Sequence, residues 1–166
     1  AQPFYVNSPH GIVLVHNGNL VNTDKLRKEL RQNDFRHINT TSDSEVLINI
    51  FASSLEKNCS TQLNDDAIVK AVSEVHNRVE GAYSVIICIL GYGLVAFRDP
   101  NGIRPLIFGS KDENNHMIAS ESVALDCLGY NTTRDVAPGE TIIFKNDGSI
   151  SSYGYTSEKK FSPCIF

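Results

Sequence analysis

Ala82-Tyr83-Ser84-Val85-Ile86-Ile87-Cys88-Ile89-Leu90-Gly91-Tyr92-Gly93-Leu94-Val95-Ala96-Phe97 is the stretch on which the fold class depends. Residues 82–90 are almost continuously apolar, as in a strand buried on both faces, and Gly91-Tyr92-Gly93 turns the chain into a second apolar strand, 94–97. Tight connections recur downstream. Pro100-Asn101-Gly102 precedes Leu106-Ile107-Phe108, Asn114-Asn115 precedes Met117-Ile118-Ala119, and Asn146-Asp147-Gly148 joins strands at 141–144 and 150–155. Connections this short belong to antiparallel neighbours, because a parallel pair needs a crossover of about a dozen residues or more.

Working toward the N-terminus, residues 11–16 form a short apolar run that Asn17-Gly18-Asn19 is expected to close as a tight turn. Asn22 or Thr23 is positioned to cap a helix carrying Leu26 and Leu30 on one face. Ser42 and Glu45 have the S-x-x-E spacing of a reciprocal cap, ahead of a helix whose apolar face is Val46, Leu47, Ile50 and Phe51. A third helix is expected from about 65 to 80, with Ala67, Ile68, Ala71, Val72, Val75 and Val79 in one stripe and Gly81 as its stop. A short helix is expected at 122–128 before Gly129, and the tail, 157–166, is polar and then apolar. Strand, helices, strands, helix, strands is the order of an α+β fold with mainly antiparallel sheets covered by helices.

The 166 residues fit one domain, 1–166, with 41% hydrophobic and 20% charged residues. A net charge of -4 with scattered lysines and arginines lacks the basic footprint of a nucleic-acid binder. No apolar run approaches the roughly 18 residues of a membrane span, so neither nucleic acid nor membrane is an expected partner and the chain reads as cytoplasmic. Cys59, Cys88, Cys127 and Cys164 are widely spaced and read as reduced, and the five histidines show no metal-binding spacing. No metal or cofactor is expected within the chain.

Chemistry concentrates in three polar clusters at the ends of apolar segments. In His16-Asn17-Gly18-Asn19-Leu20, a side-chain amide and an adjacent backbone N–H could converge on one oxygen, the arrangement of an oxyanion hole, or simply make a turn. Asp43, within Thr41-Ser42-Asp43-Ser44-Glu45, fits either the positive end of a helix or a ligand ammonium. Arg98-Asp99-Pro100-Asn101-Gly102-Ile103-Arg104-Pro105-Leu106, followed by Ala119-Ser120-Glu121-Ser122, reads most simply as a turn flanked by surface arginines. His16 reads as a hydrogen-bonded structural histidine.

Together with Val136-Ala137-Pro138-Gly139-Glu140 and Pro163-Cys164, these clusters resemble, over essentially the whole chain, the glutaminase domain of the amidophosphoribosyltransferase family of class II glutamine amidotransferases. Asparagine synthetases share part of the Arg-Asp-Pro turn but usually place Glu after the asparagine-glycine pair, where this chain has Asn19-Leu20. The resemblance implies an αββα sandwich like that of N-terminal nucleophile hydrolases. It also implies an N-terminal cysteine that attacks the glutamine amide, and ammonia that passes to a phosphoribosyltransferase domain acting on phosphoribosylpyrophosphate. Asn17 and the Gly18 backbone would then form the oxyanion hole, and Asp43 would bind the glutamine α-ammonium. Magnesium belongs to the transferase domain, and a homo-oligomer is expected of the parent. Residue 1 is alanine, so the chain reads as truncated at both ends, with the nucleophile outside it, and is expected to be inactive alone. Cys164 matches a position that resembles an iron–sulfur ligand in some members and is kept as structural. A noncatalytic glutamine-binding or interaction module is the competing reading.

Overall fold

Along β3 (Gly81–Ile89) the side chains divide cleanly: Val85, Ile87 and Ile89 enter one core, while Ser84, Ile86 and Cys88 face the other way. Both faces are covered, which accounts for the uninterrupted apolar run. The computed structural model describes residues 1–59, 62–155 and 161–164.

Around β3 lie β1 (Phe4–Val6), β2 (Ile12–Leu20), β4 (Gly93–Arg98), β8 (Thr141–Lys145) and β9 (Ile150–Tyr153), in a six-stranded sheet ordered β1-β2-β3-β4-β8-β9. A second sheet is ordered β6-β5-β7, from β5 (Ile107–Ser110), β6 (His116–Ala119) and β7 (Asn131–Asp135). Every pairing in both sheets is antiparallel.

The helices α1 (Thr23–Gln32), α2 (Asp43–Asn58) and α3 (Asp65–Arg78) supply Leu26, Leu30, Leu47, Phe51, Ile68 and Val75 to the core on one face of the large sheet. The opposite face meets the small sheet through Ala96, Ile142, Leu106 and Val136, with Ile86, Phe108, Ile118 and Phe144 around them. The short α4 (Ser122–Cys127) packs on β6 and β7, completing helix, sheet, sheet and helix layers. The α3 N-terminus is fastened to the sheet by Asp65, whose carboxylate accepts from the Tyr92 hydroxyl, from the Tyr153 hydroxyl at 2.8 Å, and from Lys145 Nζ at 3.1 Å.

Several local expectations are corrected. Asn17-Gly18-Asn19 is not a turn: β2 runs on to Leu20, because Asn17, Gly18, Asn19 and Leu20 pair with Ser84, Tyr83, Ala82 and Gly81. Long-range pairing overrides a local turn signal. Ser42 caps α2, accepting from Ser44 N, but Glu45 does not close the reciprocal half. Its carboxylate instead takes the backbone N–H groups of Asn39 and Thr40, at 2.8 and 2.6 Å, and the Thr40 hydroxyl. Asn22 precedes α1 without a side-chain cap bond, since its amide spans Arg78 O and Glu80 N. Gly81 opens β3, the helix having ended at Arg78, and the last strand stops at Tyr153. β1 and β7 were not anticipated. Residues 157–160 and 165–166 of the tail lie outside the described residues.

Candidate active site

The end of β2 is where the polar clusters meet. In an antiparallel strand, a residue's N–H and C=O point to the same edge, and the next residue's point to the other. His16 spends both groups on Gln2: its N–H donates to Oε1 at 2.6 Å and its C=O accepts from Nε2 at 2.7 Å. This edge is where β1 pairs with residues 12–14 and then ends. By the same alternation the N–H of Gly18 faces that edge, two residues beyond the Gln2 clamp. Tyr83, opposite Gly18, directs its own N–H and C=O to Asp99, so the pair exchanges no ladder bonds. Leu20 comes next on this edge, and its N–H donates to Asp43 Oδ2 at 3.3 Å.

Asp43 therefore stands about 6.6 Å along the strand from the Gly18 N–H, at two residues' rise. Its other oxygen lies 3.8 Å from His16 Nδ1, and its side chain keeps 24% exposure, enough to meet a ligand. Ser44, buried beside it, lies 3.2 Å from His16 Nδ1. Burial pushes the His16 imidazole below its ordinary value of 6.5, with Asp43 and Ala82 pulling upward and Arg104 adding to the fall.

Gly18 has a φ of 155°, and a Cβ there would stand 2.0 Å from the Ala82 carbonyl oxygen and 2.8 Å from His16 Nε2. Only glycine lets the strand close on β3 here.

Asn17 points to the other face of β2, toward the small sheet, where Val15, Asn17, Ser84, Ile86, Leu106 and Ser120 line a recess of about 160 Å³. Its Oδ1 accepts from Arg104 Nη2 at 2.5 Å. Arg104 is therefore not a surface charge, and Arg98 is 5% exposed. The Arg98 guanidinium donates to three carbonyls, those of Arg104, Val136 and Gly102, at 2.6, 2.8 and 2.8 Å. Fully buried Asp99 accepts the N–H groups of Asn101, Ile103 and Arg104 at 3.0 to 3.1 Å. Between them the two charges hold five backbone groups of residues 101–104, the carbonyls of Gly102 and Arg104 and the N–H groups of Asn101, Ile103 and Arg104. The far side of the turn carries residues 161–164: Ser162 N donates to Asn101 O and Cys164 N to Ile103 O, with the Phe161 ring against Gly102 and 6.0 Å from the Arg98 guanidinium.

Asn17 and Gly18 thus lie on the last residues of β2 with Asp43 bonded to its end at Leu20, the Asn17 side chain leaving on the small-sheet face. Gln2, Arg104 and Ser44 joined them without having been singled out for the site. Arg104 carried a faint signal in lying just past an Asp-Pro-Asn-Gly turn that needs buried charge to hold it. None of the cysteines lines the Asn17 recess. Among the described residues no cluster of His, Cys, Asp and Glu is arranged to hold a metal ion, and no helix is long and apolar enough to cross a membrane.

A family model described as a glutamine amidotransferase domain matches residues 1–127. The chain belongs to that family. It is 52% identical to an amidophosphoribosyltransferase of Escherichia coli and 51% identical to one of Pseudomonas aeruginosa, each match covering 100% of this chain and 34% of the relative. A yeast relative, from Schizosaccharomyces pombe, is 45% identical over 99% of the chain and carries the same name. Among solved structures, the glutamine phosphoribosylpyrophosphate amidotransferase from B. subtilis, complexed with ADP and GMP, superposes with a TM-score of 0.78 at 32% identity. That match covers 98% of this chain and 33% of that one. The α+β class expected from the hairpins, and the sandwich that the resemblance implied, are the fold of these glutaminase domains. The chain spans about a third of the length of these relatives.

Proposed function

We propose that the glutamine amidotransferase domain carried by this chain is the glutaminase part of an amidophosphoribosyltransferase, binding glutamine along the terminal edge of β2. The observation that carries this reading is the spacing at the end of β2: a backbone N–H at Gly18 on the open edge, the Asp43 carboxylate two residues further along that edge, and on the neighbouring residue the Asn17 amide, held by Arg104 on the small-sheet face. A glutamine laid along it presents its carboxamide at one end and its α-ammonium at the other.

In this reading a cysteine thiolate outside residues 1–166 attacks the carboxamide carbon, and negative charge gathers on its oxygen. Asn17 Nδ2 and Gly18 N–H donate to that oxygen, stabilising charge that exists only in the transition state and tetrahedral intermediate. Asp43 fixes the other end of the substrate, so that its binding energy orients the reacting carbon. Neutral His16, behind Asp43, adds no positive charge to compete with the ammonium. Released ammonia would go to a phosphoribosyltransferase domain that takes phosphoribosylpyrophosphate and holds the magnesium, in a cytoplasmic homo-oligomer making phosphoribosylamine.

The test is Asn17→Ala in the full-length parent. Glutamine-dependent kcat is expected to fall by roughly 10² to 10³, as when one oxyanion donor is removed, with glutamine KM little changed. A near-normal kcat would reduce Asn17 to a strand residue and defeat the reading.

A further inference from the structure

A carboxamide presents an acceptor on one side and donors on the other, so an asparagine serving an oxyanion is useful only in one of its two flipped orientations. In the other, Oδ1 would face the developing negative charge and oppose it. Arg104 decides between them. A guanidinium has five N–H donors and no acceptor, so the group 2.5 Å from Arg104 Nη2 is the amide oxygen, and Nδ2 is left facing away from the arginine.

We propose that Arg104 is the positioning residue for Asn17, fixing the amide so that its NH2 is the group presented to the reacting carboxamide. The inference rests on the reading of Asn17 as an oxyanion donor and assigns the Arg98 to Arg104 turn a purpose within it.

Three features carry the assignment. Arg104 is partly buried, yet among the described residues it has no carboxylate within ion-pair distance, so its charge is directed at the Asn17 oxygen rather than cancelled by a neighbour. Its backbone is held at both ends: the N–H by Asp99 Oδ2 at 3.1 Å and the C=O by Arg98 Nε at 2.6 Å. The side chain therefore starts from a fixed point. Finally, 87 residues separate the partners, so no local turn geometry dictates the contact. A charge-assisted bond to the amide oxygen also draws electron density from the amide nitrogen, making Nδ2–H a stronger donor where the oxyanion forms. Arg104 touches no substrate in this scheme and acts only through Asn17.

The test compares Arg104→Gln, Arg104→Lys, Asn17→Ala and the double variant Asn17→Ala/Arg104→Gln in the full-length parent. Arg104→Gln, which offers an amide that can flip, is expected to lower glutamine-dependent kcat about tenfold to a hundredfold with KM within about twofold, the scale of a misplaced catalytic group. Lysine, a donor-only cation, should recover a large part of the loss. In the Asn17→Ala background the Arg104→Gln change should cost nothing further, since the group it positions is gone. Synthesis from added ammonia should hold in every variant.

An Arg104→Gln protein with normal kcat, or a loss that multiplies in full with that of Asn17→Ala, would overturn the assignment. So would a parallel collapse of ammonia-dependent synthesis in both Arg104 variants, which would mark the arginine as a folding residue. Near-normal kcat in Asn17→Ala alone would instead fail the underlying oxyanion reading. The two failures are therefore read from different variants.

Discussion

Asp43 serves two masters, the first turn of α2 and the open edge of β2, and its substitution by asparagine separates them. Asn keeps an oxygen for the Leu20 N–H but loses the charge an ammonium needs. In the full-length parent, Asp43→Asn is expected to weaken glutamine binding by about 1.5 to 3 kcal/mol, roughly tenfold to a hundred-and-fifty-fold, while ammonia-dependent synthesis persists. Normal glutamine kinetics with a lowered melting temperature would leave Asp43 only its helix. Gly18→Ala presses a methyl onto the Ala82 carbonyl at a φ that side chains rarely adopt, so about 1 to 3 kcal/mol of stability should go with it. Thermal melts of the chain would register that loss, and an unchanged melt would mean that β2 can shift away from β3. That His16 is hydrogen-bonded was legible, and its Nδ1 lies 3.2 Å from Ser44 Oγ. The reach of Arg104 was not, because nothing in a sequence says which of two arginines beside a turn will face inward.

The starts of α2 and α3 were readable, whereas the Asn64 cap and the end of α3 at Arg78 were not. Ser42 and Asn64 cap α2 and α3, accepting from Ser44 N and Ala67 N, and the apolar stripes fall where helical spacing puts them. Elements set by pairing were not. β7 is exposed along its whole length and carries no alternation, and β1 is only three residues long. The Asn-Gly pair, a strong hairpin signal in isolation, is carried through β2 by its partners on β3. Glu45 shows the same priority of long reach over local motif. Its carboxylate gathers the segment before α2 and so holds the helix start that bears Asp43. Glu45→Ala should therefore cost about 1.5 to 3 kcal/mol and raise proteolytic cleavage between residues 33 and 42. A variant as protease-resistant as the parent chain there would show that the segment holds itself.

Over the whole molecule, ionisation couples these anchors to pH. Burial opposes the charge on Asp34, Glu45, Asp65 and Glu140, but hydrogen bonds outweigh it and hold all four carboxyls below their ordinary values. The donors are Lys57 and Arg78 for Asp34, Thr40 and Asn39 for Glu45, Tyr92 and Tyr153 for Asp65, and Arg134 and Ser152 for Glu140. Carboxyls depressed in the folded state stabilise it fully above their unfolded values, and that contribution drains as pH falls through the folded ones. His16 is also depressed, so its contribution is complete above 6.5 and declines below it. Urea midpoints are thus expected to fall gently below about pH 6.5 and steeply below about pH 4. Midpoints that stay level down to pH 3 would mean that these carboxyls titrate as they do in the unfolded chain.

The strap formed by residues 161–164 has a mechanical meaning. Its two backbone bonds grip Asn101 and Ile103 on the back of the loop whose front carries Arg104. Residues 161–164 thus hang from this loop as a cord hangs from a lever arm. A tug on that cord arrives at the arm holding the Asn17 amide before it reaches either hydrophobic core.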